Sequence, residues 1–421
     1  MNYLGLLLMV MGVNSGNANR PMTVSLQNTM NVERIDEAFV LTRDQLKPRD
    51  NKLVPVVTTK GGEFVPCQID DIDHDGKWDE LAFVCNLEAK GSKELQVLWI
   101  SPDKYPIFPR RTNVRYGKMT SPGHIEELAT DMHGKYNLAR GEGYPYQTDG
   151  PSWENDKMGF RHYFDGRNCR DVFGKLIPQM VMDTVGIRPN GTPGDTYHVM
   201  RNWGRDIMSA AGSFGLGGIA IQTPDTLLRM GVLVEDRTDN VDSTRYTLIS
   251  EGPVRSMFKL DFYGWDVLGK KVNVNEVVTI WAGKYGYENK IKTSVLPAGA
   301  YLVSGIVTNN NDKPELQKKY KGKYTAMITH DMQTYNKVWY MGMSLIIPNS
   351  NLIKTYDTPK KGTGIVNTWC VKMKPVNGYY NYNVYAAWEI SDKRFRDRAY
   401  FVNLIDGYGD KLAQPVIMTV K

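Results

Sequence analysis

Two stretches of this chain concentrate the residue types that do chemistry. Residues 142–175 interleave aromatic side chains, among them Trp153 and Tyr163, with Glu154, Arg161, Arg167 and Asp171. No apolar run there is long enough for a buried helix, so the mixture suits a polar cleft. Aromatic faces stack on the apolar side of a sugar ring, while carboxylates and guanidinium groups hydrogen-bond hydroxyls or a uronate. Residues 194–206 follow with Tyr197, His198, Trp203 and Asp206. His198 lies between polar clusters, where a neutral imidazole can serve as a general base with Tyr197 beside it. A histidine that only hydrogen-bonds structure is the plainer alternative. His162 ranks second as a base. Glu154 and Asp171 are the carboxylates suited to acid–base work, and Arg161 with Arg167 form a candidate clamp for a carboxylated sugar. The same charges would equally hold an irregular loop by pairing with one another. Trp153, Tyr163, Trp203 and Asp206 complete the substrate-binding set.

A third motif lies earlier. Asp71, Asp73, Asp75, Gly76 and Asp79 occupy positions one, three, five, six and nine of a calcium loop, with the backbone carbonyl of Lys77 at seven. Position twelve is Ala82 rather than a bidentate glutamate, and the flanks read as strands, so this is no EF-hand. A structural calcium ion and an acidic solvated turn both fit it, and no other cofactor is required. The glycine-rich run at 210–218 lacks the G-x-G-x-x-G spacing and its strand–turn–helix setting, which excludes a dinucleotide site. No serine sits in a Gly-x-Ser-x-Gly elbow, so no Ser-His-Asp triad is arguable.

The elements that must carry these groups are strands. Runs at 32–42, 53–58, 63–69, 81–87 and 95–100 are bounded by Gly, Pro, Asn and Asp and predict a small all-β N-terminal domain over 21–105. Folding the chain about Gly76 sets Val65 opposite Leu87, Cys67 opposite Cys85 and Ile69 opposite Phe83, which makes one face apolar throughout. That register makes the two cysteines cross-strand neighbours, either as a disulfide or as two buried thiols. A Pro- and Arg-rich connector at 101–115 marks a boundary, and a short helix is expected at 125–132. From Val254 onward long β runs return at 254–263, 272–281, 301–308, 324–329, 337–347, 364–373, 382–390 and 399–404. They predict a large antiparallel sandwich over 106–421 that carries the site. Tyr379, Tyr380, Tyr382, Tyr385 and Trp388 near the end suit packing of that sandwich, or in part a sugar platform.

The apolar segment from Leu4 to Val13, followed by small and polar residues, has the length of an export signal and is too short to span a bilayer. Residues 1–20 are therefore expected to be removed, leaving a periplasmic or secreted protein without membrane insertion. The 52 basic and 46 acidic residues leave a formal charge of only +6, and the densest basic patch, Lys318, Lys319, Lys321 and Lys323, reads as a solvated loop. Nucleic acid is not an expected partner.

The chain resembles domain-of-unknown-function family 4861, common in polysaccharide-degrading bacteria. The resemblance rests on the run from Gln68 to Phe83, on Gly150-Pro-Ser-Trp-Glu-Asn-Asp through Arg161, Tyr163, Asp165 and Phe173-Gly-Lys175, and on Tyr197-His198 followed by Trp203-Gly204 and Asp206. It implies a neighbourhood of pectin- and uronate-degrading enzymes and, by analogy of fold, a galactose-mutarotase-like β-supersandwich. The expected function is an exported carbohydrate-active enzyme on uronate-containing oligosaccharides. In lyase form an arginine neutralises the uronate and His198 or Tyr197 removes a proton; in hydrolase form Glu154 and Asp171 act. A non-catalytic sugar-binding protein and a sugar mutarotase are the alternatives.

Overall fold

Alternation decides where the layers meet. In the strand Met341–Pro348, Met343, Leu345 and Ile347 point into one core while Ile346 points into another; in Tyr380–Trp388, Tyr382, Val384 and Ala386 face the first core and Tyr385 and Ala387 the second. With side chains alternating across a strand, this sheet is apolar on both faces and must be covered twice. The computed structural model describes residues 21–134, 145–164, 168–231, 240–362 and 364–421. The expected export signal at 1–20 and Arg167 lie outside the described residues.

The protein is mainly β, built from several antiparallel sheets. Nine strands form the largest sheet, in the order Thr130–Gly134, Ser243–Glu251, Arg255–Val267, Lys270–Trp281, Gly286–Thr293, Tyr380–Trp388, Met341–Pro348, Tyr324–Asp331 and Leu316–Tyr320. Two five-stranded sheets share its inner core. One contains Ile219–Gln222, Tyr301–Val307 and Thr368–Met373; the other runs Gly204–Asp206, Arg170–Lys175, Met158–His162, Ser152–Asn155 and Thr112–Arg115. Trp153, Phe160, Val172, Phe258, Leu260, Ile280, Ile306 and Val371 from all three sheets are buried together. Each such side chain contributes about 1.5–3 kcal/mol relative to exposure.

The outer face of the large sheet is partly covered by the helix Arg398–Ala413, whose Phe401, Ile405 and Ala413 pack on Ala326, Ile328 and Ile346. A strand was expected at 399–404. The helix prevails because Asp397 caps it by accepting from the Ala399 amide, and its buried residues recur at spacings of four that a six-residue window does not reveal. Residues 125–132 correct the opposite way. His124–Glu127 pairs with Gly117–Ser121 as a hairpin and Thr130–Gly134 joins the large sheet, so no helix forms there. Of the aromatic run near the C-terminus, Tyr380, Tyr382 and Trp388 are buried in the inner core and form no platform.

The strands of the N-terminal unit form a four-stranded and a three-stranded sheet around Val24, Leu41, Val56, Leu81, Phe83 and Val97. The final strand, Ile417–Val420, returns to pair with Met22–Gln27, so this unit is completed by the end of the chain. The hairpin register differs from expectation by two residues: Cys67 faces Phe83 and Ile69 faces Leu81, while Cys85 faces Glu37. A shift of two keeps every side chain on its face, so alternation alone does not separate the registers. Cys67, Cys85, Cys169 and Cys370 are all buried free thiols.

Candidate functional site

The sheet ending in Gly204–Asp206 turns two chemically different faces outward and inward. Its pairings set Ser152 opposite Arg161 and Arg161 opposite Asp171, with Glu154, Gly159, Phe173 and Asp206 in the next row. These residues share one face. Trp153, Phe160 and Val172 take the other, in the core. Part of the polar face lies under the segment 176–203, whose Met182, Val185 and Tyr197 pack on Phe173. The rest forms the floor of a cavity of about 1090 Å³.

Glu154 explains how the covering segment is held. Its Oε1 accepts from the amides of Val181 at 2.6 Å and Met182 at 2.7 Å, and from Asn113 at 3.1 Å, while Oε2 accepts from the buried Lys175 ammonium. Lys175 also donates to the carbonyls of Asn155 and Gln179. Gln147 adds bonds to the carbonyls of Met182 and Val185. Glu154 is thus fully enclosed by partners and does not line the cavity. Trp153 is buried against Phe160, Phe258 and Tyr287. Trp203, at the end of the cover, packs on Phe173. Neither tryptophan reaches the cavity, so neither is available to stack on a sugar there.

Arg161, Tyr163, Asp171, Tyr197, His198 and Asp206 do line it together. Arg161, 1% exposed, donates to Asp171 at 2.8 Å, Asp206 at 2.7 Å and Asp149 at 3.1 Å, and also to the Tyr163 hydroxyl. Its guanidinium lies over the rings of Tyr163 and Tyr197 at 4.2 and 4.7 Å. Tyr163 donates to Asp171 at 2.6 Å, and Tyr197 to Asp149 at 3.0 Å and Asp195 at 3.1 Å. Arg161 is therefore already neutralised by aspartates, and the expected role as a clamp on a substrate carboxylate does not fit its surroundings. Burial pushes the Tyr197 hydroxyl far above its ordinary pKa, which leaves it a donor and unfit as a base.

His198 stands between two carboxylates. Its Nε2 is 3.6 Å from Asp195 and its Nδ1 is 3.5 Å from Asp206. Pairing with Asp195 raises its pKa, which favours the protonated ring over the neutral base expected from the sequence. Asp195, hydrogen-bonded to His198, falls to about 2. Asp206 moves the other way, up to about 7, because it is buried and faces the charge of Asp171. His162, by contrast, lies on the core side with its pKa depressed to about 3 by burial, and Nε2 3.0 Å from Asn168.

Among the lining residues, Asp149, Arg188, Asp195 and Tyr335 are polar groups that the sequence alone does not single out. Asp149 had a local signal. Thr148, Asp149 and Gly150 all have positive φ, at 53°, 64° and 149°, and an Asp-Gly dipeptide marks such turns. Only glycine fits at 150, since a Cβ there would come 2.2 Å from the His162 carbonyl oxygen. Tyr335 is brought in from a distant loop and sits 47% exposed with its ring 6.5 Å from that of His198.

The acidic loop lies elsewhere. Asp71, Asp73 and Asp79 each offer an oxygen within 4.8 Å of the others, a hard-oxygen set of the kind calcium takes. Asp71 also accepts from the Gly76 amide at 2.9 Å, while Asp75 is drawn aside to the Lys77 ammonium at 3.0 Å. His74 joins the loop to the large sheet through the Ile249 carbonyl. No helix among the described residues is long and apolar enough to cross a membrane.

The profile of the family described as "Domain of unknown function (DUF4861)" matches residues 26–418, and the chain belongs to that family. It is 20% identical over 424 residues to a protein of Formosa agariphila named "Uncharacterized protein P7", covering 94% of this chain and 93% of that one. Among solved structures it is similar to an alpha-mannosidase from Enterococcus faecalis, with a TM-score of 0.48, 9% identity and 95% of this chain covered. A glycosyl hydrolase family 38 protein from the same organism gives a TM-score of 0.47 at 9% identity. The chain spans about half the length of these two structures, 46% and 47%.

Proposed function

We propose that this DUF4861 member is a carbohydrate-active enzyme that acts by proton transfer in the cavity, eliminating across a linkage in uronate-containing oligosaccharides. One observation carries it: His198 is held between Asp195 and Asp206 at the wall of a large cavity that also bears aromatic rings. The pair is matched for two-way proton transfer. Asp206, lifted to about 7, is a carboxylate basic enough to accept a proton near neutrality, and His198, whose pKa Asp195 raises, is the donor. In the elimination, Asp206 takes the proton from the carbon α to the uronate carboxylate. The freed electron pair forms the α–β double bond, the β carbon–oxygen bond breaks, and the leaving oxygen takes the proton of His198. The cavity volume of about 1090 Å³ slightly exceeds the roughly 300–1,000 Å³ range of small-molecule pockets, which favours an oligosaccharide over a single sugar. Hydrolysis by Glu154 and Asp171 has no comparable support, because Glu154 is enclosed by its structural partners.

The reading includes export of the chain and a structural calcium ion at Asp71, Asp73 and Asp79. Its test is a panel of uronate oligosaccharides followed by ultraviolet absorbance for the unsaturated product and by reducing ends. Both signals should grow together, and Asp206→Asn and His198→Asn should each lose about 10²–10⁴-fold in rate. Reducing ends without absorbance would replace elimination by hydrolysis. Binding with neither signal would make this a sugar-binding protein.

A further inference from the structure

An anionic substrate meets an awkward cavity. Asp149, Asp171, Asp195 and Asp206 line it, and Arg161, the buried cation on its floor, is already engaged by three of them. A uronate carboxylate needs a cation not committed in this way. Arg188 is the remaining arginine among the lining residues. It is exposed, and its guanidinium has no ion-pair partner among the described residues.

The local fold presents this side chain. The Gly194 amide donates to the Gly186 carbonyl at 2.9 Å and the Arg188 amide to Thr192 at 2.8 Å, which closes residues 186–194 into a tight hairpin. The hairpin rests on the Thr148 turn at one end: a Cβ on Gly186 would lie 2.9 Å from the Thr148 amide nitrogen. Its tip rests on another turn, where a Cβ on Gly191 would come 2.1 Å from the Gly123 carbonyl oxygen. Gly194 leaves room for the guanidinium itself, since a Cβ there would fall 2.3 Å from Arg188 Nε and 2.5 Å from Cζ. The planar group is thus seated over a bare stretch of backbone beside the cavity, its donors unspent among the described residues.

We infer that Arg188 is the specificity residue of the site, pairing with the carboxylate of a uronate while Arg161 serves only to organise the aspartates. The inference rests on the carbohydrate reading above and names the group that recognises the acid. A planar guanidinium matches a carboxylate in bidentate fashion, which a lysine ammonium does not reproduce.

Calorimetric binding of oligogalacturonides and of their carboxyl-reduced, neutral counterparts provides the test, with the full chain and with Arg188→Gln and Arg188→Lys. The parent protein should prefer the acid form. Arg188→Gln should weaken acid binding about 10–100-fold, the scale of a lost charge-assisted hydrogen bond, leave neutral binding within twofold, and keep the parent melting temperature. Arg188→Lys should fall between. Acid binding unchanged in Arg188→Gln, or no preference in the parent, overturns the role of Arg188 and leaves the carbohydrate reading standing. Failure of the parent to bind either form overturns both.

Discussion

Replacing Asp206 with asparagine should reverse the sign of its effect on stability between acid and alkaline pH. In the folded protein the Asp206 carboxyl has a pKa of about 7, against an ordinary value of 3.8, with burial the main cause and the charge of Asp171 next. The side chain is only 5% exposed, so solvent screens little of this. Below the lower value both folded and unfolded states hold the proton. Between the two values only the folded state does, and stability falls by about 1.4 kcal/mol per pH unit as pH rises. Above the upper value the loss is complete, at about 4 kcal/mol on this order-of-magnitude arithmetic. Asparagine removes that loss but supplies a single acceptor where Asp206 has two, one for the Met208 amide at 3.2 Å and one for Arg161 at 2.7 Å. The unmatched donor costs about 1–3 kcal/mol at every pH.

Asp206→Asn is therefore expected to be less stable than the parent by about 1–3 kcal/mol near pH 4, and more stable by about 1–3 kcal/mol at pH 8. At roughly 2 cal/mol/K of unfolding entropy per residue, the full 4 kcal/mol corresponds to about 5 °C in melting temperature for 421 residues. Asp195, lowered to about 2, acts only below pH 4. His198 has a raised folded pKa, owed first to Asp195 and in part to Asp206, and loses its stabilising proton as pH rises; the part owed to Asp195 is common to both proteins. Urea unfolding followed by tryptophan fluorescence at pH 4, 6 and 8 measures the difference directly. A difference constant to within about 0.5 kcal/mol across that range would refute the raised carboxylate, and with it the choice of Asp206 as base. The expected variant trades function for stability, as removal of a strained catalytic group commonly does.

Lys175→Met should destabilise the fold by about 3–5 kcal/mol, because it leaves Glu154 charged and buried without its cation; hydrogen exchange at the Val181 and Met182 amides should rise with it. Tyr335→Ala should raise KM about tenfold with kcat within twofold, whereas Tyr335→Trp keeps KM low, if the exposed ring beside His198 stacks on a sugar. An equal fall in kcat for both would argue against stacking. Calcium should raise the melting temperature of the parent, an effect of about 2.7 kcal/mol at a hundredfold excess over Kd, and Asp71→Asn should abolish the response. A melting curve indifferent to calcium and to chelator would leave the loop an acidic turn.

Much of the fold was legible because alternation survives errors of register. The hairpin at 67–87 pairs two residues out of step with the register that alternation suggests, yet Cys67, Ile69, Leu81 and Phe83 keep their inward face. Six residues at 399–404 fit a strand or a helix equally well, and only the later recurrence at Ile405 and Ala413 decides between them. The site was legible to the level of a sheet face and no further. Glu154 and Arg161 lie on one face of neighbouring strands, with similar aromatic and charged neighbours in sequence, and nothing local separates them. The separation comes from the segment 176–203, whose Val181 and Met182 amides close on Glu154 while its Tyr197 and His198 border the cavity that Arg161 lines. The same closure gives the protonation states. Within it Tyr197 is buried and locked as a donor and His198 is 45% exposed, while Asp206 is desolvated at its edge. A histidine read in isolation suggests a base. Beside the carboxylate of Asp195 its pKa is raised, and in the proposed elimination the role of base passes to the aspartate that burial has made reluctant to ionise.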